Sequence, residues 1–280
     1  MATTHGDGSD GSREVIDEAR AALRVERRRA VDEREAFRTF RGRIESVSTE
    51  AASTGGPSAA AGFSGGAGPA SGSGAAADAS GPVAPPGSGL AAVRDAYAET
   101  VMSVPHYEEE YDDTYERSVA AEFGPELAYA LTRSAGYHPE YEPALRDAVD
   151  AAIEERDRLV ERLGVEADSL DRAGSRLAAV RREIASLDAA VPEGGFGALD
   201  ACRARAGVLV EDCDRIAARR QRVIAEHERD LRLGDDVVDL PTYLYQSTAA
   251  RYPVLSAVGA IGDRLDDLAR RIERAIAHVG

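Results

Sequence analysis

Two rows of residues, each repeating every seven positions, run without a break through the middle of this chain. One is Val149, Arg156, Leu163, Leu170, Leu177, Ile184 and Val191; the other is Leu145, Ala152, Leu159, Glu166, Ala173, Val180 and Leu187. Rows offset by three or four residues form one stripe on an α-helix and match neither face of a strand. A helix is therefore predicted over 143–191, about 48 residues and roughly 70 Å long. Pro143 suits its first turn, where a missing N–H costs nothing, and Gly164 and Gly174 fall inside it at about 1 kcal/mol each.

The same pattern continues on both sides. Pro192, Gly194, Gly195 and Gly197 mark a turn. A returning helix over 197–233 follows, with Leu199, Cys202, Ala206, Leu209, Cys213, Ile216 and Val223 at spacings of three and four. A loop from Leu240 to Tyr252 leads to a helix over 253–278, entered at Pro253 and carrying Val254, Val258, Ile261, Leu265, Leu268, Ile272, Ala275 and Val279. Upstream, short helices are predicted over 89–104, stopped by Pro105, and within 106–133, where a second short helix runs from Pro125 to about Arg133. A first helix, capped by Ser12, aligns Ile16, Leu23, Ala30, Phe37 and Ile44, with Ala19, Phe40 and Val47 in its companion row. Glu26 and Glu33 take two companion positions, so contact there is expected to be weak or polar.

These elements predict an all-α fold: an elongated antiparallel helical bundle or coiled-coil hairpin with an additional N-terminal helix. Residues 1–50 form the Arg-rich first helix and 89–280 the bundle. Residues 51–88, almost wholly Ala, Gly, Ser and Pro, read as a flexible linker, because such a segment buries too little apolar surface to offset its ordering entropy.

The formal net charge is −16. The chain has neither Lys nor Asn, so all 34 basic side chains are Arg. An acid-rich, Lys-free composition is similar to that of proteins from halophilic archaea, where molar salt shortens the Debye length to about 3 Å and makes self-repulsion tolerable. It disfavours nucleic acid as a partner. The opening residues lack a secretory pattern and no run of about 18 apolar residues occurs, so a cytoplasmic protein without a membrane segment is expected. Cys202 and Cys213, about 16 Å apart on one helix, cannot bridge; on the seam they read as small buried hydrophobes.

The segments AETVMSVPHYEEEYDDTYERSVAAEFGPELA and LPTYLYQSTAARYPVLSAV resemble an uncharacterised family of haloarchaeal proteins carrying a single domain of unknown function. The resemblance covers nearly the whole chain. It implies a lineage and a helical architecture, and no activity.

Without Lys there is no phosphate-loop lysine, pyridoxal Schiff base or kinase-type lysine. The histidines, at 5, 106, 138, 227 and 278, include none that follows a Glu by three positions, so the di-iron and zinc-protease patterns are missing. A Gly-x-Ser-x-Gly match at Gly62 to Gly66 falls in the linker, away from the strand and helix a nucleophile elbow requires. The stretch His106 to Glu116 interleaves six carboxylates with Tyr107, Tyr111 and Tyr115, whose spacing puts the rings on one helical face. Its acids suit a hard cation, but consecutive helical residues point around the axis, so a solvated face with tyrosine packing anchors is the plainer expectation.

Arg20, Arg27, Arg34 and Arg41 recur every seven residues beside the first seam, with Arg24 and Arg38 thickening the strip. The strip resembles the basic half of a zipper-type DNA reader, yet phosphate binding by counterion release weakens steeply with salt. An acidic partner helix is the better match. Arg20, Arg24, Arg27, Arg34, Arg38 and Arg41 are therefore the candidate partner-binding residues, for a protein partner or for self-association through coiled-coil seams. No catalytic, cofactor-binding or metal residue is assigned, and no cofactor. The expected function is a non-enzymatic interaction or scaffold protein; the alternatives are a DNA-associated regulator using the first helix and a metal-dependent hydrolase at the His106 segment.

Overall fold

The computed structural model describes residues 7–54, 88–134, 140–231 and 240–279. Among them the chain forms nine α-helices and no strand. These are α1 (Asp7–Thr54), α2 (Ser88–Ala98), α3 (Tyr107–Glu110), α4 (Tyr115–Phe123), α5 (Pro125–Arg133), α6 (Tyr141–Ala190), α7 (Phe196–Leu231), α8 (Leu240–Leu244) and α9 (Pro253–Val279). The helices divide into two compact units: a terminal unit, Met1–Arg29 with Leu159–Gly280, and an inner unit, Ala30–Arg158. Helices α1 and α6 contribute to both.

In the terminal unit most of the predicted seam residues are buried, while Leu187, Val223, Val258 and Ala275 are half-buried and Val279 is exposed. Ile16, Ala19 and Leu23 of α1 join Leu163, Leu170, Leu177 and Ile184 of α6, Leu199, Leu209 and Ile216 of α7, and Ile261, Leu265, Leu268 and Ile272 of α9. Each such side chain contributes about 1.5–3 kcal/mol by leaving water. Contacts run in opposite order along neighbours. Arg220 meets Glu166 and Arg205 meets Glu183, so α6 and α7 are antiparallel; Arg20 meets Asp171 and Arg181 meets Ser12, so α1 is antiparallel to α6. Helix α9 packs along α7.

The inner unit buries Phe37, Phe40 and Ile44 of α1 with Val93 and Tyr97 of α2, Val119 of α4, Leu131 of α5, and Leu145 and Val149 of α6. Its centre is aromatic: Tyr97 stands edge-on to Phe40, Tyr115 and Phe123 at 5.2, 5.6 and 5.8 Å between centroids. Here too α1 opposes α6, with Arg34 on Asp157 and Arg41 on Asp150.

Several local expectations change. The first helix begins at Asp7, so Ser12 is an interior residue whose hydroxyl accepts from Arg181 instead of capping. The 106–133 segment is three helices. Asp112 takes a positive φ of 42° and breaks the chain between α3 and α4, and Thr114 caps the restart by accepting from the Arg117 N–H. Crowded carboxylates at successive positions disfavour a continuous helix there. Tyr115 consequently turns to Tyr97, while Tyr107 and Tyr111 stay together at 5.5 Å; the three rings do not share a face. The Leu240 to Tyr252 stretch contains α8, with Leu240, Pro241 and Leu244 buried. Most of the expected linker, including Gly62 to Gly66, lies outside the described residues, as do His5 and His138.

Both glycines predicted within the long helix lie inside α6, in different surroundings. A methyl group on Gly164 would meet nothing within 4 Å, whereas on Gly174 it would come within 2.8 Å of Arg20 Nη2 and 3.2 Å of Ile16 Cγ2. Gly164→Ala is expected to stabilise the protein by about 1 kcal/mol through helix propensity. Gly174→Ala forgoes that gain because Arg20 must move; denaturant unfolding of the two variants reads the difference directly, and equal stabilisation would contradict the close approach of α1.

Candidate functional site

Every helix seam places apolar residues inward, so a charged residue on a seam is carried into the core and must find a partner there. Glu166 occupies such a position on α6 and is fully buried, at 0% exposure. Arg220 of α7, 2% exposed, donates from Nη2 to Glu166 Oε1 and from Nη1 to Oε2, both at 2.7 Å. The Tyr245 hydroxyl, just after α8, donates to Oε1 at 2.7 Å, and Arg220 Nη1 also reaches Ser169 Oγ at 3.2 Å. His227 Nδ1 lies 3.9 Å from Oε2. Burial pushes the Glu166 carboxyl upward, but the Arg220 guanidinium and the Tyr245 hydroxyl together outweigh it and hold the carboxyl below its ordinary range. Burial beside that carboxylate raises the Tyr245 phenol. The cluster is an ion pair at neutral pH, with no proton ready to move.

The inner unit repeats this chemistry around Glu33 of α1. Arg156 of α6 donates from Nε to Glu33 Oε2 at 3.2 Å and from Nη2 to Glu122 Oε1 at 2.6 Å. Its guanidinium also lies over the Phe37 ring, 4.9 Å from the centroid. His106 Nε2 is 3.0 Å from Glu33 Oε1, which the Tyr111 hydroxyl also approaches, donating at 2.9 Å. Burial pushes the Glu122 carboxyl above its ordinary value, and Arg156 offsets only part of this. The other seam acid of α1, Glu26, accepts from the Tyr243 hydroxyl within the terminal unit.

These arrangements tie helices to one another. Glu166 has no exposed surface, and a void of about 20 Å³, one water in size, reaches Ser169 and Arg220. Among the described residues no three His, Cys, Asp or Glu side chains converge to hold a metal ion. In the His106 segment, Glu108, Glu109, Glu110 and Asp112 are exposed, while the His106 ring is buried against Glu33.

The arginine strip is largely engaged within the chain. Arg20 pairs with Asp171, Arg34 and Arg38 with Asp157, and Arg41 with Asp150, so the acidic helix alongside is α6 itself. Arg24 and Arg27 are exposed. Cys202 and Cys213 are buried free thiols; burial, with Asp212 and Asp214 adjacent, pushes Cys213 up to about 11, so it stays protonated and unreactive at neutral pH. His278 is exposed, its Nδ1 2.7 Å from the Arg274 carbonyl oxygen. No described helix is long and apolar enough to cross a membrane.

Arg220 and Tyr245 were not foreseen. The signal for Arg220 was available, since it falls on the α7 seam between Ile216 and Val223. Tyr245 carried no periodic signal of its own.

Fold and site together define an all-helical bundle protein whose seam charges are neutralised from within. The chain belongs to the family described as Domain of unknown function (DUF7260), whose model matches residues 14–269. No curated protein and no solved structure is significantly similar to it.

Arg220→Met leaves the Glu166 carboxylate buried without its cation and is expected to cost about 3–5 kcal/mol. Adding Glu166→Leu should restore most of that loss, because the pair need not be more stabilising than apolar packing. Acid sensitivity follows from the same site. Its folded carboxyl lies below the ordinary glutamate value, so its contribution is complete above that value and disappears as the pH falls through the lower, folded one. Denaturant midpoints followed from about pH 7 to 3 should show this acid-linked loss in the wild type and a smaller one in Glu166→Gln.

Proposed function

We propose that this protein is a non-enzymatic scaffold, a helical bundle with coiled-coil seams that presents a rigid surface to another protein in the salt-rich cytoplasm of a halophilic archaeon. The sealed Glu166–Arg220–Tyr245 cluster is the observation that carries this reading. These ionisable groups of the terminal unit hold helices together and lie buried away from any substrate. Support for the salt-rich setting comes from the net charge of −16 and the complete replacement of Lys by Arg. On α1 the residues still available for a partner are Arg24 and Arg27, flanking Val25, which is itself half exposed.

Two measurements test the reading. Raising KCl from about 0.1 M to 2 M screens the acidic surface, so the melting temperature should climb; a flat or falling curve would remove the case for a salt-adapted scaffold. The second is capture from a native high-salt lysate with wild type and with Arg24→Glu/Arg27→Glu, compared with binding to random duplex DNA. Truncation of α1 is unsuitable, because its apolar row is buried in both units. A protein partner lost on charge reversal and no duplex binding at molar salt are expected. Duplex binding that persists at molar salt and disappears in the variant would replace the scaffold with a DNA-associated regulator.

A further inference from the structure

In the terminal unit, beside the contact of α1 with α6, the balance of charge reverses. A cleft of about 380 Å³ opens there, its walls including Arg13, Asp17 and Arg20 from α1 and Gly174, Ser175 and Arg181 from α6. Three guanidinium groups line it beside one carboxylate, that of Asp17. Asp17 lies 3.4 Å from Arg13 and 3.0 Å from Arg20, and Arg20 reaches outward to Asp171 at 2.8 Å. Arg181 has no ion-pair partner among the described residues; its Nη1 donates to the neutral Ser12 hydroxyl at 3.4 Å.

The energetics of Arg181 follow from these neighbours. Burial and the repulsion of Arg13 and Arg264 hold its guanidinium below the ordinary value, and Asp17 relieves this only in part. Arg264, on α9, has a buried Nη1 without a hydrogen-bond partner. In a chain with 50 carboxylates against 34 cations, a local excess of positive charge is the exception. An anion in the cleft would remove the repulsion and supply acceptors to guanidinium forks suited to oxyanions.

We propose that this cleft is a binding site for the phosphate group of a small phosphorylated molecule, held by Arg181 and Arg13 with the Ser175 hydroxyl. Gly174 lets Arg20 lie close along this wall, since a Cβ there would stand 2.8 Å from Arg20 Nη2. A tetrahedral oxyanion presents enough acceptors to satisfy several guanidinium groups at once, which a single chloride or a planar carboxylate does less completely. The volume exceeds that of a bare phosphate and falls within the range of small-molecule pockets.

The test is calorimetric titration of the full chain with inorganic phosphate, with ionic strength held constant by KCl at a concentration where the protein is folded. Saturable binding with one site per chain is expected, weakened at least about tenfold in Arg181→Gln. Arg13→Gln should weaken it as well, and because that side chain is 71% exposed, this variant keeps the test open if Arg181→Gln fails to fold. Potassium acetate titrated in the same way should not saturate. Absence of saturation with phosphate, an equal response to acetate, or unchanged affinity in Arg13→Gln and Arg181→Gln would each overturn the assignment.

Discussion

A carboxylate with no exposed surface cannot stay charged in a helical core unless a cation and hydrogen-bond donors are brought to it. Glu166 sets that requirement at a point where α6, α7 and the chain following α8 come together. Arg220 supplies two parallel N–H donors and Tyr245 a third, so the desolvation cost is met by contacts from two other segments of the chain. The position of α8 depends on the same demand, because its buried Leu240 and Leu244 bring Tyr245 to the carboxylate. The inner unit solves the problem less completely. Glu33 retains 14% of its side-chain surface and shares Arg156 with Glu122, whose carboxyl is left above its ordinary range.

Arginine as the sole long cation gives these contacts their form. A guanidinium offers donors in a planar fork, so Arg220 grips both oxygens of Glu166 and Arg156 bridges two carboxylates while its face lies on Phe37. A lysine ammonium could make one strong contact but neither the bidentate grip nor the ring stacking. On the surface the pairs between α1 and α6 contribute less individually, since exposed ion pairs yield at most about 1 kcal/mol and weaken in salt. They act as direction markers that agree with the apolar rows.

Much of this was legible in the sequence because periodicity and burial are the same fact seen twice. The apolar rows of α1, α6, α7 and α9 are the buried rows, and Val104 takes the extended conformation that Pro105 imposes. Glu26 and Glu33 were visible as interruptions and proved to be acceptors for buried or half-buried donors. What periodicity could not reveal was which tyrosines serve the seam acids: Tyr243 and Tyr245 lie in a short segment that carries no repeat, and the spacing of Tyr111 did not point to Glu33. The same limit explains the tyrosine spacing of the His106 segment. A spacing of four implies one face only while the helix continues, and Asp112 ends it.

The charged seam positions also settle an ambiguity that apolar rows leave open. A heptad repeat is nearly unchanged by a slide of seven residues, so leucines alone tolerate several alignments of α6 against its neighbours. Glu166 does not. One heptad away from Arg220 on α7 stand Cys213 and His227, neither of which offers a bidentate cation, and the buried carboxylate would lose its partner at a cost of several kcal/mol. The inner unit applies the same rule from the opposite side, because one heptad from Arg156 on α6 stand Val149 and Leu163, and either would leave Glu33 facing hydrocarbon. An all-apolar seam could match or exceed the stability of these pairs, so their contribution is to exclude wrong alignments: the polar residues favour the register in which Glu166 and Glu33 keep their cations.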